Sequence, residues 1–437
     1  MRTLAITAML LAFVASSARA QQVLESDQLP ANNTLSLSPR LPSSLAAAGG
    51  GVLGRQSNGS LLGIDSLPNW SSYFYEAGLD SNGFPQFTWP YTMVGTSPLN
   101  GGDDGEDRGD RGDRGDRGDR EGRTTNIGAP IIPVNIDLRN ADGSPRFLNG
   151  IRLFLDATQY VAPVLKSPVF ANSSFTSSNR PTQVTDAIQR AEFYRQADDD
   201  WHTLLRPRVL PARTMVLIRG TYQFAVKADG TLRYVLVDEG TFIDKLFPPT
   251  ATDTTTIMGD VENSGAIRTT DFSTFLFPDT YLFQGTDCCV LGFHSYDVEP
   301  GSASNKWREK RYVMNYSSWI SPGVFSGGFQ DVTALSHEVA ETFNDPFVNN
   351  FTPWWLSPTG LCQNDLETGD VIEGLANATF PITLNGFTYH PQNEALLPWF
   401  AGVSPSPSIG HAYSYPDTTV LTSAAVSQNR ACKPPKP

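Results

Sequence analysis

Hydrophobic and polar positions follow strand and helix periods along several stretches of the chain. Residues 131–138, Ile-Ile-Pro-Val-Asn-Ile-Asp-Leu, alternate in a way that is typical of a strand. Residues 221–226 and 232–237 flank Ala-Asp-Gly-Thr at 228–231, which predicts a β-hairpin. Residues 186–196 repeat apolar side chains at helical spacing. Together these patterns predict strands interrupted by short helices.

Three further strands are predicted at residues 272–283, 289–293 and 311–316, and one amphipathic helix follows them. Asp331 is placed to cap this helix, and Asn-Asp-Pro at 344–346 ends it because a residue before proline avoids the helical conformation. Its apolar stripe comprises Val332, Leu335, Val339 and Phe343. Strands outnumber helices, so we predict an α+β fold with a mixed β-sheet packed on this helix.

The other face of the helix carries residues that can bind a metal ion. His337 and Glu341 are four residues apart, so on a helix they lie on one face and can hold one ion. Glu338 leans over the open side, where a carboxylate can act as general base toward water activated by the ion. The same positions are also compatible with an ordinary solvent-exposed helix surface.

A third ligand is expected in residues 364–370, Asn-Asp-Leu-Glu-Thr-Gly-Asp. In the thermolysin-like arrangement, a later glutamate completes the helix pair, and an aspartate orients a histidine ligand from behind. Glu367 matches the ligand position and Asp370 matches the orienting position. The alternative is a turn whose acidic side chains are simply solvated.

Few other histidines are available to such a site. His294 follows an apolar run and is predicted to lie on a buried strand, where it binds substrate, stabilises an oxyanion or satisfies hydrogen bonds in the core. His390 and Glu394 repeat the four-residue spacing, as second-rank ligands or as a local surface pair. The predicted catalytic residues are Glu338 and His294, and the predicted metal ligands are His337, Glu341 and Glu367.

Glu341 stands where the thermolysin-like helix has a second histidine, and it adds one negative charge to the ligand set. That charge raises the pKa of a bound water and shifts the preference of the site toward harder cations. Zinc is the first candidate cofactor, and calcium and manganese are the alternatives.

The N-terminus has the three parts of a secretory signal peptide. Met-Arg-Thr precedes an apolar run at residues 4–15, and Ala-Arg-Ala at 18–20 predicts cleavage after Ala20. No later stretch is long and apolar enough to cross a bilayer. The net charge of −13 disfavours nucleic acid and anionic membranes as partners. We therefore expect a secreted or periplasmic protein and leave its oligomeric state open. A peptide or protein substrate is expected only if the metal site is that of a peptidase.

The expected organisation comprises a signal peptide at 1–20, a disordered leader at 21–68, a β-rich N-terminal lobe at 69–260 and a metallopeptidase-like lobe at 261–437. Within the N-terminal lobe, the low-complexity stretch at 101–123 repeats Arg-Gly-Asp and contains no apolar side chain. Such a stretch cannot bury enough surface to offset the entropy of ordering, so it is predicted to be a solvated loop.

The cysteines are too few for a disulfide scaffold in a chain of this length. Cys362 and Cys432 are candidates for a bridge that ties the C-terminal tail to the predicted ligand loop. Cys288 and Cys289 are adjacent, which places them poorly for a bond with each other.

Several segments together resemble a group of uncharacterised secreted bacterial proteins with a zincin-like Ser-His-Glu-x-x-Glu helix. The segments are residues 185–191, 289–295, 334–341, 345–350 and 362–370. The Gly-Phe-His and Ser-His-Glu-x-x-Glu elements are more distantly similar to the phosphate-induced, exordium-like secreted proteins. The resemblance covers residues 70–415 apart from the Arg-Gly-Asp stretch and implies export and a metal site, without a substrate.

Two functions remain open at this point. The first is a metal-dependent hydrolase, in particular a peptidase, in which Glu338 is the general base. The second is a non-catalytic secreted binding or surface-associated module in which the metal site is structural or vestigial. Metal analysis of the purified protein distinguishes them, because a hydrolase requires both a bound ion and activity that a chelator removes.

Overall fold

The computed structural model describes residues 27–30, 34–35, 63–75, 88–101, 124–175 and 181–425 of the 437-residue chain. The predicted signal peptide, the Arg-Gly-Asp repeats and Cys432 lie outside these residues. In the described part of the chain, no helix is both long and apolar enough to span a membrane.

The described strands are β1 Ile64–Asp65, β2 Asn69–Tyr75, β3 Thr88–Val94, β4 Thr124–Arg139, β5 Phe147–Leu148, β6 Ile151–Arg152, β7 Phe154–Leu155, β8 His202–Val209, β9 Arg213–Ile218, β10 Tyr222–Val226, β11 Leu232–Asp238, β12 Phe272–Pro278, β13 Thr280–Gln284, β14 Asp287–Val290, β15 Gly292–Glu299, β16 Glu309–Trp319, β17 Phe351–Leu356, β18 Cys362–Asp365, β19 Ile382–Leu384, β20 Phe387–Tyr389, β21 Glu394–Ala395 and β22 Ser414–Tyr415. The α-helices are α1 Thr158–Leu165, α2 Val184–Glu192, α3 Glu239–Leu246, α4 Ile257–Asn263, α5 Thr333–Asn344 and α6 Leu397–Phe400.

The central sheet has eight strands and mixes parallel with antiparallel pairs. Its main order is β1-β16-β12-β4-β7, with β15 paired to β16 and both β8 and β9 paired to β4. Strand β4 runs parallel to β12, β8 and β9, whereas β15 runs antiparallel to β16. The sheet therefore combines strands from both sides of residue 260, where the sequence analysis placed a lobe boundary. The α+β class and the mixed sheet are confirmed.

A second sheet has the order β10-β11-β13-β14 and contains the predicted hairpin, β10 and β11. The single strand predicted at 272–283 is wrong, because β12 and β13 belong to different sheets. The chain changes sheet at Asp279, which has a positive φ of 37°. Its buried carboxylate accepts hydrogen bonds from the amide and the hydroxyl of Ser321, both at 2.6 Å, which hold this bend in place.

Helix α5 carries the Ser-His-Glu-x-x-Glu sequence and is buried along its whole length. The predicted apolar stripe packs in the core with strands of the central sheet, and the helix ends at Asn344 as predicted. The predicted cap is wrong: Val332 is the N-cap residue, and the carboxylate of Asp331 instead pairs with the ring Nδ1 of His390 at 2.7 Å. The polar residues of the helix are also buried, so the alternative of an ordinary solvent-exposed helix surface is wrong.

Short segments of the predicted leader pack against the domain. Gln28 forms a bridge with Phe224, and β1 pairs with β16. The buried carboxylate of Asp27 forms ion pairs with Arg146 and Arg219. These segments depart from the disordered leader that composition predicts, because sheet pairing and the two arginines hold them.

The cysteines also differ from expectation. Cys288 and Cys289 are bonded to each other across a cis peptide bond, which brings their Cα atoms to 3.0 Å. The prediction that adjacent cysteines are poorly placed for a bond is therefore wrong. Cys362 is disulfide-bonded, while the proposed partner Cys432 lies outside the described residues.

Candidate metal centre

Helix α5 places three ionisable side chains side by side. Nε2 of His337 lies 3.0 Å from Oε2 of Glu341, one helical turn further on. The same nitrogen lies 4.0 Å from Oε1 of Glu338. The four-residue spacing therefore brings His337 and Glu341 together as predicted, with Glu338 beside them.

Strand β15 contributes His294 from the sheet that packs against the helix. Its Nδ1 lies 3.6 Å from Oε2 of Glu338 and 3.6 Å from Oε2 of Glu341. Oε2 of Glu367 is 3.9 Å from the same nitrogen. His294 is thus part of the centre, with Nδ1 facing three carboxylates and Nε2 buried without a hydrogen-bond partner among the described residues.

The loop after β18 contributes Glu367 and Asp370. Oδ1 of Asp370 lies 3.6 Å from Nε2 of His337, the nitrogen that also faces Glu341. Its Oδ2 accepts a hydrogen bond of 2.8 Å from the amide group of Gln363. Asp370 therefore lies among the candidate ligand atoms, rather than behind the histidine as the sequence analysis expected.

Backbone hydrogen bonds fix this loop to the helix. The amides of Gly369 and Asp370 donate to Oε1 of Glu341 at 3.0 and 3.3 Å. The side-chain amide of Gln392 donates to the carbonyl of Gly369 at 2.8 Å, and its backbone N–H donates to the hydroxyl of Ser336 at 2.9 Å. Oε1 of Glu341 is thereby occupied by the loop, so Oε2 is the oxygen that faces the histidines.

Two glycines make room for the ionisable side chains. A Cβ atom at Gly369 would lie 2.5 Å from Nδ1 of His337, and one at Gly292 would lie 2.6 Å from Cγ of Glu338. Both glycines stand within the stretches that the sequence analysis singled out, at 364–370 and 289–295. These glycines were therefore a signal of the centre in the sequence. Which side chain each glycine makes room for depends on tertiary contacts, which the sequence does not show.

The donor atoms form two groups that overlap at one residue. Within each group, one ligand atom from each residue lies within 4.8 Å of the others, and every member is buried. The groups are His294 with Glu341 and Glu367, and His337 with Glu341 and Asp370. Of the predicted ligands, Glu367 falls with His294 rather than with His337, and Asp370 was not predicted as a ligand.

The separations between these atoms match those of ligands around an ion. Two ligand atoms at about 2.1 Å from a tetrahedral metal lie about 3.4 Å from each other. The observed nitrogen–oxygen separations are 3.0, 3.6, 3.6 and 3.9 Å, and most exceed a hydrogen bond. Imidazole nitrogens and carboxylate oxygens are donors that suit divalent metal ions, so the residues of the centre fit a metal of this kind.

Burial and mutual repulsion shift the pKa values throughout the centre. Burial raises the pKa of Glu367 and Asp370 well above their usual range, and the Glu341 carboxylate raises both further. Burial would also raise the pKa of Glu341, but His337 and His294 hold it below its usual range. Burial would lower the pKa of both histidines, yet the surrounding carboxylates raise it well above 6.5. These shifts reflect an excess of acidic over basic side chains in the centre.

Two further carboxyl groups, those of the buried Glu394 and the half-buried Glu373, add to that excess. Burial raises the pKa of Glu373 to about 7. Burial also raises the pKa of Glu394 well above its usual range. Oε2 of Glu394 accepts a hydrogen bond from Thr368 at 2.9 Å, while its Oε1 has no partner among the described residues. His390 and Glu394, the second-rank candidate ligands, bond to different residues, because the ring of His390 pairs with Asp331 and Glu394 accepts from Thr368.

Comparisons of this chain with protein families, curated proteins and solved structures produce no match. The function must therefore be inferred from the residues and geometry of the centre itself.

Proposed function

We propose that this protein is a metal-dependent hydrolase that acts on peptides or proteins, with Glu338 as general base. The position of Glu338 is the observation that carries the proposal. Its carboxylate faces the metal-binding nitrogens of both histidines, at 3.6 Å from His294 and 4.0 Å from His337. It lies outside both groups of mutually close donors, which leaves it available to move a proton.

A divalent ion held in the centre would polarise a scissile carbonyl and acidify water beside it. Glu338 would accept the proton of that water and transfer it to the leaving amine. Burial raises the pKa of Glu338, which makes its carboxylate a stronger base than a solvated one. Glu341, fixed through Oε1 by two backbone amides, would bind the ion through Oε2.

His294 takes a different proposed role from the oxyanion stabiliser expected from sequence. Its Nδ1 faces Glu338, Glu341 and Glu367, so it is positioned as a ligand and as a partner that orients Glu338. Zinc remains the first candidate ion because imidazole and carboxylate donors suit it, with manganese next. Calcium ranks lower because it prefers ligand sets made of oxygen alone.

One observation favours the non-catalytic alternative. Each member of both donor groups is buried, which suits a structural metal site, whereas a catalytic site must leave one coordination position open to water or substrate. The side chains of His337 and Glu367 retain 11% exposure, which marks the side from which a substrate would reach the centre.

Export, proposed from residues 1–20, suits either function and is tested by sequencing the N-terminus of protein recovered outside the cell.

The deciding experiment combines metal analysis with one substitution. We expect the purified protein to contain a stoichiometric transition metal and to hydrolyse an unstructured protein such as casein until a chelator removes the ion. Glu338→Gln should retain the ion and lose about 10²-fold or more in turnover. Glu192→Gln, which alters a fully buried carboxyl outside the centre, is the matched control. A Glu338→Gln protein that cleaves casein as fast as wild type would refute the proposal.

A further inference from the structure

The two donor groups share Glu341 and nothing else, and each combines one histidine with one acid of the loop after β18. Glu341 Oε2 is close to both histidines, at 3.0 Å from His337 and 3.6 Å from His294. Among the described residues, no group of mutually close donors contains both histidines. Each histidine nitrogen lies within 4.8 Å of Glu341 Oε2, so the two histidines would form a group with Glu341 if their own nitrogens were also that close. The nitrogens of His294 and His337 are therefore more than 4.8 Å apart.

That separation is too large for one ion. Two nitrogens that bind the same metal at about 2.1 Å lie no more than about 4.2 Å apart, even on opposite sides of it. In this arrangement, an ion bound by His337 is out of reach of His294. The imidazole of His294 is nevertheless buried, and its Nδ1 faces three carboxylates at distances longer than a hydrogen bond.

We propose that the centre binds two divalent cations, with Glu341 as their shared ligand. His294 and Glu367 hold one ion, and His337 and Asp370 hold the other. This inference rests on the proposed metal centre and specifies its composition. Carboxylate bridging of this kind occurs in hydrolytic sites whose two ions are about 3.5–4 Å apart.

Glu338 gives independent support, because its two oxygens are divided between the two subsites. Oε2 lies 3.6 Å from the nitrogen of His294, and Oε1 lies 4.0 Å from that of His337. A carboxylate placed in this way can receive a proton from water held between two ions. Gly292, which has no side chain to displace Glu338, allows this position.

The charges of the centre also favour two ions. Its carboxyl groups are those of the buried Glu338, Glu341, Glu367, Asp370 and Glu394 and of the half-buried Glu373. Among the described residues, only the two histidines lie within ion-pair distance of them. One divalent ion offsets two negative charges, whereas two ions offset four and leave the histidines neutral, as metal ligands must be.

Metal titration tests this composition. Protein stripped with a chelator is titrated with Mn²⁺ and with Zn²⁺ by calorimetry, and bound metal is counted by elemental analysis. Wild type should bind two equivalents, and His294→Ala and His337→Ala should each bind one. Glu341→Ala should weaken both sites by about 10-fold or more, whereas Glu192→Gln should still bind two.

Electron paramagnetic resonance of the Mn²⁺-loaded protein gives a second readout that does not depend on counting bound metal. Two bridged ions should give an exchange-coupled signal, and His294→Ala should give the spectrum of an isolated ion. A single equivalent in wild type, or complete loss of binding in both histidine variants with native circular dichroism, would overturn the two-ion centre. One equivalent together with Glu338-dependent hydrolysis would leave the proposed function intact. Two equivalents of metal without hydrolysis would support the two-ion centre and refute the proposed function.

Discussion

The backbone amide of Gly369 donates a hydrogen bond of 3.0 Å to Oε1 of Glu341. This contact joins the loop after β18 to helix α5 and sets the direction of the Glu341 carboxylate. Oε2 then lies 3.0 Å from the ring of His337. The geometry of the centre therefore depends on a backbone group as much as on the acidic and histidine side chains.

Replacing Gly369 by alanine should weaken metal binding. The added Cβ would lie 2.5 Å from Nδ1 of His337, so the imidazole would have to shift away from its present position. We expect metal affinity to fall by about 10- to 100-fold, as it does when the partners that orient a ligand are lost. Isothermal titration with Zn²⁺ measures this change. Gly240→Ala is the control, because its Cβ would meet Oδ1 of Asp238 at an ordinary 3.5 Å. Equal affinity of the two variants would contradict the prediction.

Replacing Gly292 by alanine should impair turnover more than metal binding. Its Cβ would lie 2.6 Å from Cγ of Glu338 and 2.9 Å from the carbonyl of Tyr316, so the proposed base would be displaced. We expect kcat to fall while metal content stays close to that of wild type. The overpacking should also cost about 1–3 kcal/mol of stability, measured by urea unfolding. Loss of the metal with unchanged stability would show that Gly292 supports the ligands instead.

Metal removal should destabilise the folded protein. Without a cation, the buried carboxylates of Glu341, Glu367 and Asp370 repel one another and depend on protons to offset their charge. Binding to the folded state at 100 times the Kd adds about 2.7 kcal/mol to the free energy of unfolding for each ion. Thermal unfolding with and without chelator should therefore show a lower Tm for the stripped protein, restored by Zn²⁺. An unchanged Tm would argue against an ion bound at these residues.

Glu192 should make stability decline as the pH rises. Burial raises its pKa to about 8, and the amide of Leu397 donates to its Oε1 at 2.6 Å. A carboxyl with a raised pKa contributes stability that is fully present below the unfolded pKa and is lost as the pH rises through the folded value. Between pH 5 and 9, wild type should lose stability relative to Glu192→Gln, at about 1.4 kcal/mol per unit of pKa difference. Urea unfolding of both proteins across this range is the measurement, and parallel curves would exclude the effect.

The helical part of the centre was predictable because it depends on local geometry. His337 and Glu341 lie one turn apart, so any helix through these residues brings them together. The apolar stripe that includes Val339 likewise predicted which face of the helix enters the core. His294 was expected on a buried strand for the same reason, since an apolar run determines its surroundings.

The arrangement of the loop ligands was not predictable from spacing. Glu367 and Asp370 are three residues apart, yet the first lies near His294 and the second near His337. Which histidine each acid faces depends on the hydrogen bonds between the loop and Glu341, and these are tertiary contacts. The sheet change at Asp279 was missed for a similar reason, because Ser321, which is distant in sequence, holds the bend.

The position of β4 in the central sheet has a consequence for how the chain is made. Its neighbours β8 and β9 follow within the next 80 residues, but β12 begins only at Phe272. Until β12 emerges from the ribosome, the residues of β4 that pair with it, 131–133, present an unpaired strand edge, and such edges are prone to aggregate. We therefore expect a fragment that ends at residue 260 to be insoluble, and the two predicted lobes to fold as one unit rather than separately.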